Sequence, residues 1–295
     1  MHTHSGHAHV AGPLHGHRLL DDPVSVAAVH AIPVGHRTLV GLSDGFLLMS
    51  PGFLGTPEAP TAGHDTLRRR YGEVRLPLGC FLLPGDRAAL IDTGLGAHDF
   101  EQRDTLVGGN LLSQLARQGV RPDDVAVLAL SHLHADHSGT IGDPVTGRPV
   151  FANAQTFVGR GDWEYFVERE LAPVPIAPHT RAALLELERR GQITLTDGEQ
   201  NIAAGLRSIS APGHTPGHTV YAVHDHGVRV LVLGDAMHCP QQLDHLDWQI
   251  TFDVDPVLAR QTRDRLHADL AAHGGGAVGC HFPELRLGRI LTRAA

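Results

Sequence analysis

Residues 131–140 read Ser-His-Leu-His-Ala-Asp-His-Ser-Gly-Thr. Four potential metal ligands lie within six positions of this stretch: His132, His134, Asp136 and His137. The stretch follows Val125–Leu130, a short apolar run of the kind that forms a buried strand. Three imidazoles and a carboxylate are costly to bury in an apolar core, whereas a metal ion would give all of them a partner. Because strand ends hold loop residues rigidly, the stretch predicts a metal site at the edge of a sheet.

Three further candidate ligands follow along the chain. His214 lies in Ala-Pro-Gly-His-Thr-Pro-Gly-His, Asp235 in Leu-Gly-Asp, and His281 in Gly-Cys-His-Phe-Pro. Alone, none of the three indicates a site, because any one of the chain's 23 histidines is more often solvated or packed in the core. Asp235 alone could also be a turn residue. The His-x-His-x-Asp-His string is different, because it is an improbable chance arrangement, and it makes the three later residues candidates for the same site.

The spacing suits two ions. One ion can be bound by three histidines, His132, His134 and His214. The other can be bound by Asp136, His137 and His281, and the carboxylate of Asp235 can bridge the two. Two divalent cations about 3.5–4 Å apart lower the pKa of a water between them and polarise the bond to be attacked. An all-nitrogen and oxygen ligand set suits Zn²⁺, with Mn²⁺, Fe²⁺ and Co²⁺ as alternatives.

These motifs, together with Asp92-Thr-Gly, resemble the metallo-β-lactamase superfamily over residues 75–290, most of the chain. The resemblance implies an α/β fold, a four-layer αββα sandwich with a binuclear centre on one edge. It also implies the two ligand sets given above. In that family pattern Asp92 orients the ligands through hydrogen bonds, and His218 matches a common residue that is not normally a ligand.

One fold hosts many reactions, so the fold alone does not give the function. Differences from the family pattern narrow the choice among the branches of the superfamily. Flavodiiron-type members carry Glu in place of His134, and the main class of zinc β-lactamases has a Cys ligand in place of Asp235. Glyoxalase II enzymes continue into a helical domain, yet only 14 residues follow His281. The RNA-processing branch has a large inserted domain, which this sequence does not show. The branch containing lactonases and organophosphate hydrolases remains.

Several segments support that branch. Phe151-Ala-Asn-Ala, Trp163–Phe166, Gly234–His238 and His281-Phe-Pro are similar to relatives of methyl parathion hydrolase and to N-acyl homoserine lactonases. Many lactonases place a Tyr shortly after the bridging Asp to steady the substrate carbonyl, and this chain has His238 nearby instead. His238 is therefore a candidate hydrogen-bond donor in catalysis, with a purely structural role as the alternative.

The sequence thus predicts a binuclear metal-dependent hydrolase whose metal-bridging hydroxide cleaves an ester, lactone or phosphotriester bond of a small molecule. The residues predicted to take part in catalysis are Asp136, Asp235 and His238. The alternatives are another hydrolase of this fold, such as a thioesterase or a glyoxalase II-like enzyme, an iron oxidoreductase, and a non-enzymatic metal-binding protein. Because the chain contains no lysine, mechanisms that need a lysine nucleophile are excluded.

Composition sets the remaining expectations. The formal net charge of −8 and the absence of a long basic run argue against nucleic acid as a partner. No apolar stretch is long enough to span a membrane, and no secretory signal is evident, so a cytoplasmic location is expected. Residues 1–20 are predicted to be a disordered His-rich tail, and residues 21–295 a single catalytic domain. The resemblance also suggests a homodimer.

Periodicity and turn residues predict the elements that place these motifs. Val24–Val34 and Leu39–Met49 read as strands, the second interrupted by Ser43-Asp44-Gly45, and residues 50–66 as a long loop. Residues 101–119 and 256–272 read as helices. Aromatic residues in predicted loops could line an apolar cleft, with ordinary packing as the alternative for each: Phe46, Phe53, Tyr71, Trp163, Tyr165, Phe166, Trp248 and Phe252.

Overall fold

The computed structural model describes residues 29–97 and 106–288, except for the side chain of Tyr71. The predicted tail, residues 1–20, lies outside the described residues. The first part of the chain forms β1 (His30–Val34), β2 (Arg37–Leu48), β3 (Leu54–Gly55), α1 (Ala62–Tyr71), β4 (Arg75–Leu83), β5 (Ala88–Ile91) and β6 (Leu106–Val107).

The middle part forms α2 (Leu111–Arg117), β7 (Val125–Ala129), α3 (Ala135–Ser138), β8 (Gln155–Gly159), α4 (Arg160–Asp162), a π-helix (Trp163–Glu168), α5 (Pro178–Arg189) and β9 (Ile193–Thr196). The last part forms β10 (Gln200–Ala203), β11 (Leu206–Ser210), β12 (Thr219–Asp225), β13 (Val228–Val232), β14 (Gln249–Ile250), α6 (Pro256–His273) and β15 (Gly276–Val278).

Two large sheets contain most of these strands. The first sheet has the order β1-β2-β4-β5-β7-β8-β9, with β6 paired to β2, and it is parallel from β5 to β9. The second sheet has the order β10-β11-β12-β13-β15 and is antiparallel except for the β13–β15 pair. The parallel strands bring their carboxyl ends to one edge, which is where ligands bind in sheets of this type.

Strand alternation divides the core into three apolar layers. In β5, Leu90 packs outward against α2 and α5, whereas Ile91 packs inward between the two sheets. In β12, Tyr221 and Val223 face the first sheet, whereas Val220 packs outward with residues of α6. Because side chains on a strand alternate between its faces, this pattern gives helix, sheet, sheet and helix in succession. The predicted four-layer αββα sandwich is confirmed.

Helix α6 covers the outer face of the second sheet, and its boundaries agree with the predicted helix. The Asp255 side chain accepts a hydrogen bond from the Leu258 N–H at 2.9 Å and caps the helix, and Pro256 occupies the first helical position. Its buried residues recur at helical spacing: Ala259, Thr262, Arg263, Leu266 and Leu270. Within the described residues no helix is both long and apolar enough to cross a bilayer.

Some predicted elements were wrong. Residues 50–66 are not one long loop, because β3 lies within them and α1 begins at Ala62. Helix α1 contains three consecutive arginines and few apolar residues, so its sequence resembles a loop. Of the predicted helix 101–119, the described part contains β6 and the short α2, because Gly109 adopts a positive φ of 103° and separates the two.

The predicted break in β2 at Ser43-Asp44-Gly45 is instead a bulge within a continuous strand. The bulge allows the buried carboxylate of Asp44 to accept hydrogen bonds from four backbone N–H groups, at 2.7–3.1 Å. The donors are Leu95, Gly96, Gly109 and Leu111. One aspartate thus joins the loop after β5 to the start of α2.

Candidate metal centre

The seven candidate ligands meet at one edge of the sandwich. His132–His137 follow the end of β7, and His214 lies in the loop between β11 and β12. Asp235 and His281 each lie three residues past a strand of the second sheet, β13 and β15 respectively. Both sheets therefore contribute to the cluster, and each side chain starts from a rigid strand end.

Three histidines form one half of the cluster. His134 Nδ1 lies 2.9 Å from His132 Nε2 and 3.1 Å from His214 Nε2. Asp235 Oδ2 lies 3.8 Å from His132 Nε2 and 3.3 Å from His214 Nε2. One atom from each of these four residues lies within 4.8 Å of the others.

The other half contains two histidines and a second carboxylate. Asp136 Oδ2 lies 3.7 Å from His137 Nε2 and 3.6 Å from His281 Nε2. Asp235 Oδ1 lies 3.2 Å from His137 Nε2 and 3.3 Å from His281 Nε2. The two oxygens of Asp235 therefore face different halves, as a bridging carboxylate requires.

In four of the five candidate histidine ligands, the ring nitrogen that points away from the cluster has a hydrogen-bond partner. Each Nδ1 lies beside an oxygen at 2.8–3.0 Å: His132 beside Ser131 Oγ, His137 beside Asp92 Oδ2, His214 beside Asp253 Oδ1 and His281 beside the Pro77 carbonyl. An acceptor at Nδ1 leaves the proton there and the Nε2 lone pair directed inward. These partners orient the rings for binding a cation.

Asp92 lies at the tip of β5 with a positive φ of 59° and is fully buried. Its carboxylate accepts hydrogen bonds from the Ser131 N–H and hydroxyl, both at 2.7 Å, and lies 3.2 Å from Cys280 Sγ. Ser131 and His137 both belong to the metal-site loop, so Asp92 fixes that loop against the strand before it. This geometry agrees with the orienting role that the resemblance implies.

The donor set fits two divalent cations. His134 Nδ1 lies within hydrogen-bond length of both His132 Nε2 and His214 Nε2. Three ring nitrogens whose lone pairs face one another in this way need a cation between them. His137 Nε2 and Asp235 Oδ1 are buried and make no hydrogen bond among the described residues. Buried polar atoms of this kind are normally paired, and a cation in the half formed by Asp136, His137 and His281 would supply the missing partner of both atoms.

The pKa shifts describe the same arrangement. Burial, reinforced by the neighbouring His137, holds the pKa of His132 well below its ordinary value, and burial lowers the pKa of His134 to about 3. Both rings are therefore neutral at pH 7 and have a free lone pair. In the other half burial acts in the same direction, but the carboxylate of Asp235 outweighs it and raises the pKa of His137 and His281. The acidic residues there favour positive charge.

His238 faces the same cluster. Its Nε2 lies 3.2 Å from Asp235 Oδ2, and its ring stacks on that of His281 with centroids 5.0 Å apart. Its backbone N–H donates to Gln242 Oε1 at 2.6 Å, and its Nδ1 is buried and has no hydrogen-bond partner in residues 29–97 and 106–288. His218 lies behind the cluster instead, where its Nε2 accepts a hydrogen bond from the Asp235 N–H at 3.0 Å.

Two buried carboxylates at the site could not be predicted from the sequence. Asp162 accepts hydrogen bonds from the Leu133 N–H, the Thr215 hydroxyl and the Gly217 N–H, at 2.6–3.1 Å. It therefore joins the loops that carry His132 and His214. Asp253 pairs with His214 as described above. Neither lies in a recognisable motif, and the partners that link them to the loops of the metal site are 29 to 55 residues away along the chain.

The aromatic residues divide between the site and the core. Phe53 lies edge-on to His238 at 5.8 Å between ring centroids and to Phe252 at 5.6 Å, and Phe166 lies edge-on to His134 at 5.6 Å. Phe252 is 57% exposed, so an apolar surface continues from the cluster to solvent. Packing in the core accounts for three others that were considered for the cleft: Phe46, Trp163 and Trp248.

Comparison with known proteins agrees with this geometry. A family model described as the metallo-beta-lactamase superfamily matches residues 80–272. The chain is 27% identical over 211 residues to the N-acyl homoserine lactonase AiiA of Bacillus thuringiensis subsp. kurstaki, a match that covers 65% of this chain and 76% of that protein. An N-acyl homoserine lactonase of a Bacillus species is 28% identical over 159 residues, covering 48% of this chain and 56% of that protein.

Solved structures show the same fold. The hydrolase AbOPH of the beta lactamase superfamily superposes with a TM-score of 0.76 at 26% identity, covering 89% of this chain and 93% of that one. AidC, a dizinc quorum-quenching lactonase, has a TM-score of 0.75 at 22% identity, covering 91% of this chain and 96% of that one. The chain belongs to the metallo-beta-lactamase superfamily. It is a hydrolase, and its cluster of histidines and aspartates supports a binuclear site for divalent metal ions.

Proposed function

We propose that the protein hydrolyses a small-molecule lactone or carboxylic ester with the help of two zinc ions. The observation that carries the proposal is the position of Asp235, whose two oxygens face two separate sets of ligands at 3.2–3.8 Å. The lactonase relatives support a cyclic ester as the substrate. A phosphotriester is the second candidate, since the sequence segments quoted above are also similar to relatives of methyl parathion hydrolase.

The proposed ligands are the two sets already described. One zinc ion would be held by His132, His134 and His214, the other by Asp136, His137 and His281, with Asp235 shared. When bound, such a pair of cations lowers the pKa of a water between them and polarises the bond that this water attacks. The remaining chemistry falls to side chains of the chain itself.

Asp235 and Asp136 are the carboxylates placed to handle protons. Asp235 is buried between both ligand sets, so it can accept a proton from the attacking water and give it to the oxygen of the leaving group, which then departs as a hydroxyl group. The Asp136 side chain is 21% exposed, which gives it contact with bulk water. It can therefore return a proton to solvent after the bond has been cleaved.

His238 is the proposed hydrogen-bond donor to the substrate. Burial lowers its pKa, so the ring is neutral at pH 7 and carries one N–H. Its Nε2 lies 3.2 Å from Asp235 Oδ2, in reach of a carbonyl oxygen that approaches the shared carboxylate. A donor aimed at that oxygen would stabilise the negative charge that develops there during attack.

The apolar side chains near the cluster match an apolar substituent on the substrate. Phe53 and the exposed Phe252 form one continuous surface that reaches His238. Burying an acyl or aryl group against them would contribute binding energy roughly in proportion to the apolar area removed from water. We therefore propose an ester or lactone with such a group beside the bond that is cleaved.

The test combines metal analysis with a substrate screen. Purified protein is expected to contain two zinc ions per chain and to hydrolyse N-acyl lactones or aryl esters, with phosphotriesters as a third arm. Chelation should abolish the activity, and added zinc should restore it. His214→Ala should lose one zinc ion and most of the activity, whereas His224→Ala, at an exposed position on β12, should retain both. Hydrolysis that persists after complete removal of metal would contradict the proposal.

A further inference from the structure

The loop that carries His214 lies directly on the first turns of α6. The Val254 N–H donates to the His214 carbonyl at 3.1 Å, and the Asp255 N–H donates to the Gly213 carbonyl at 2.9 Å. About two turns into the helix, the Thr262 hydroxyl donates to the Pro212 carbonyl at 2.7 Å. The backbone from Pro212 to the ligand itself is therefore tied to the first half of this helix.

The contact at Gly213 is too close for any side chain. The residue has a φ of +134°, and a Cβ atom built on it would lie 2.2 Å from the backbone nitrogen of Ala259. Only glycine allows this approach without moving the helix or the loop. The ligand loop and α6 consequently have little freedom to shift relative to each other.

An arginine on the buried face of α6 connects the helix to the metal site through hydrogen bonds. Arg263 is 1% exposed and donates from Nε to the Leu246 carbonyl at 3.0 Å. Its Nη1 lies 3.4 Å from Asp253 Oδ2, and Asp253 Oδ1 lies 3.0 Å from His214 Nδ1. A guanidinium, a carboxylate and an imidazole thus follow one another from the helix to the cluster.

Burying a guanidinium is costly unless its charge is matched, so its presence here needs a reason. Asp253 supplies the matching charge, and the guanidinium occupies the carboxylate oxygen that His214 does not use. The other donor near that oxygen is the Ile250 N–H, at 3.4 Å. With both oxygens engaged, the carboxylate plane is held in the orientation that keeps the His214 ring in place.

We propose that Arg263 is a positioning residue for the metal centre, which acts through Asp253 to orient His214 and so sets the affinity for one of the two cations. The inference rests on the proposed ligand set. A carboxylate that accepts from the outer N–H of a histidine ligand raises the basicity of the inner nitrogen and fixes the ring. Arg263 fixes that carboxylate in turn.

The test measures zinc affinity by competition with a chelating indicator, so it does not depend on catalysis. Asp253→Asn is expected to raise the zinc dissociation constant about 10–100-fold for one of the two ions, the range typical of such outer partners. Arg263→Met should raise it about tenfold for the same ion. Arg263→Lys keeps the charge but lacks the planar fork, so an intermediate value is expected.

The matched control is Arg260→Met, three residues away on the same helix. Arg260 is 40% exposed on its side chain and pairs with Asp264 at 2.9 Å, so its replacement should leave the affinity for both ions unchanged. Thermal unfolding of each variant shows whether it is folded. If Arg263→Met does not fold, Arg263→Lys serves in its place.

A double variant separates positioning from a general structural role. If Arg263 acts through Asp253, then Arg263→Met should add little to the loss already caused by Asp253→Asn. Independent, additive losses, equal losses at both ions, or a wild-type affinity in Arg263→Met would each overturn the inference. Failure of the wild-type protein to bind two zinc ions would instead overturn the proposed function.

Discussion

The histidine three residues after the shared carboxylate is the main departure of this site from the lactonase pattern. His238 is buried, stacks on His281 and directs its Nε2 towards Asp235. A neutral imidazole can donate one hydrogen bond, as the tyrosine of many lactonases does, but it is shorter and less acidic. The residue can therefore serve the same purpose only for a substrate held close to Asp235.

Replacing His238 tests that role. His238→Ala is expected to lower kcat about 10–100-fold, the scale of a single hydrogen-bond donor to a developing oxyanion, while both zinc ions remain bound. Steady-state kinetics and elemental analysis measure the two quantities. His245→Ala is the control, because this ring stacks on Trp248 in the following loop. Unchanged kcat in His238→Ala would remove the residue from the mechanism.

The sequence was sufficient to predict which seven side chains would meet, because the His-x-His-x-Asp-His string is an improbable chance arrangement and makes the three later residues candidates for the same site. It was not sufficient to find Asp162 or Asp253. A lone carboxylate is usually a solvated residue, and nothing near either one in sequence shows that it will be buried. The bonds that link them to the metal site are made with residues of loops that only the folded chain brings near, such as Leu133 and His214.

At the scale of elements, short helices and loops are held in place by buried carboxylates. Asp44 anchors the start of α2, and Asp162, at the end of α4, joins the loops that follow β7 and β11. Strands β1, β2 and β7 were predictable because apolar runs and turn residues mark them. Strands β8 and β10 were not, since both begin with polar residues, Gln155 and Gln200.

Asp162 gives a pH-dependent prediction. Burial raises the pKa of its carboxyl from 3.8 to about 6, although three hydrogen bonds oppose the shift. The folded protein therefore binds this proton more tightly than the unfolded chain does. The resulting stabilisation is complete below about pH 4 and is lost as the pH rises through about 6.

Asp162→Asn removes this pH-dependent stabilisation. It also replaces one carboxylate oxygen, which accepts hydrogen bonds, by an amide nitrogen, which cannot accept them from the same donors. At pH 7 the variant should lose about 1–3 kcal/mol of unfolding free energy, because a buried donor is left unpaired. The difference from the wild type should be larger at pH 5. Urea unfolding at both pH values, with saturating zinc, measures it. Asp197→Asn, which removes the exposed partner of Arg160, should have little effect. A difference that shrinks at pH 5 would contradict the raised pKa.

At the scale of the whole molecule, the metal cluster is the place where the two sheets meet. The loop after the first sheet's β7 supplies His132–His137, and loops of the second sheet supply His214, Asp235 and His281. The Tyr221 hydroxyl of the second sheet also donates to the Leu130 carbonyl at 2.7 Å, beside the cluster. The overall sandwich was predictable from the family resemblance, whereas these cross-connections were not.

Deleting residues 1–20 distinguishes a hydrolase from a metal-binding protein that uses its His-rich N-terminal residues. All the proposed ligands lie between His132 and His281, so the shortened protein should still bind two zinc ions tightly and keep its kcat and KM. Zinc titration and steady-state kinetics of both lengths measure this. Loss of most zinc capacity together with unchanged activity would instead assign metal storage to the N-terminal segment.

Loops of both sheets contribute to the proposed zinc sites, so bound zinc would hold the two halves of the sandwich together and metal supply would affect the stability of the folded chain. A ligand that binds only the native state adds RT ln(1 + [L]/Kd) to stability. Under zinc starvation the contact between the two sheets would open more often and expose the backbone to proteases. Steady-state abundance of the enzyme would then follow nutritional zinc, even with transcription held constant.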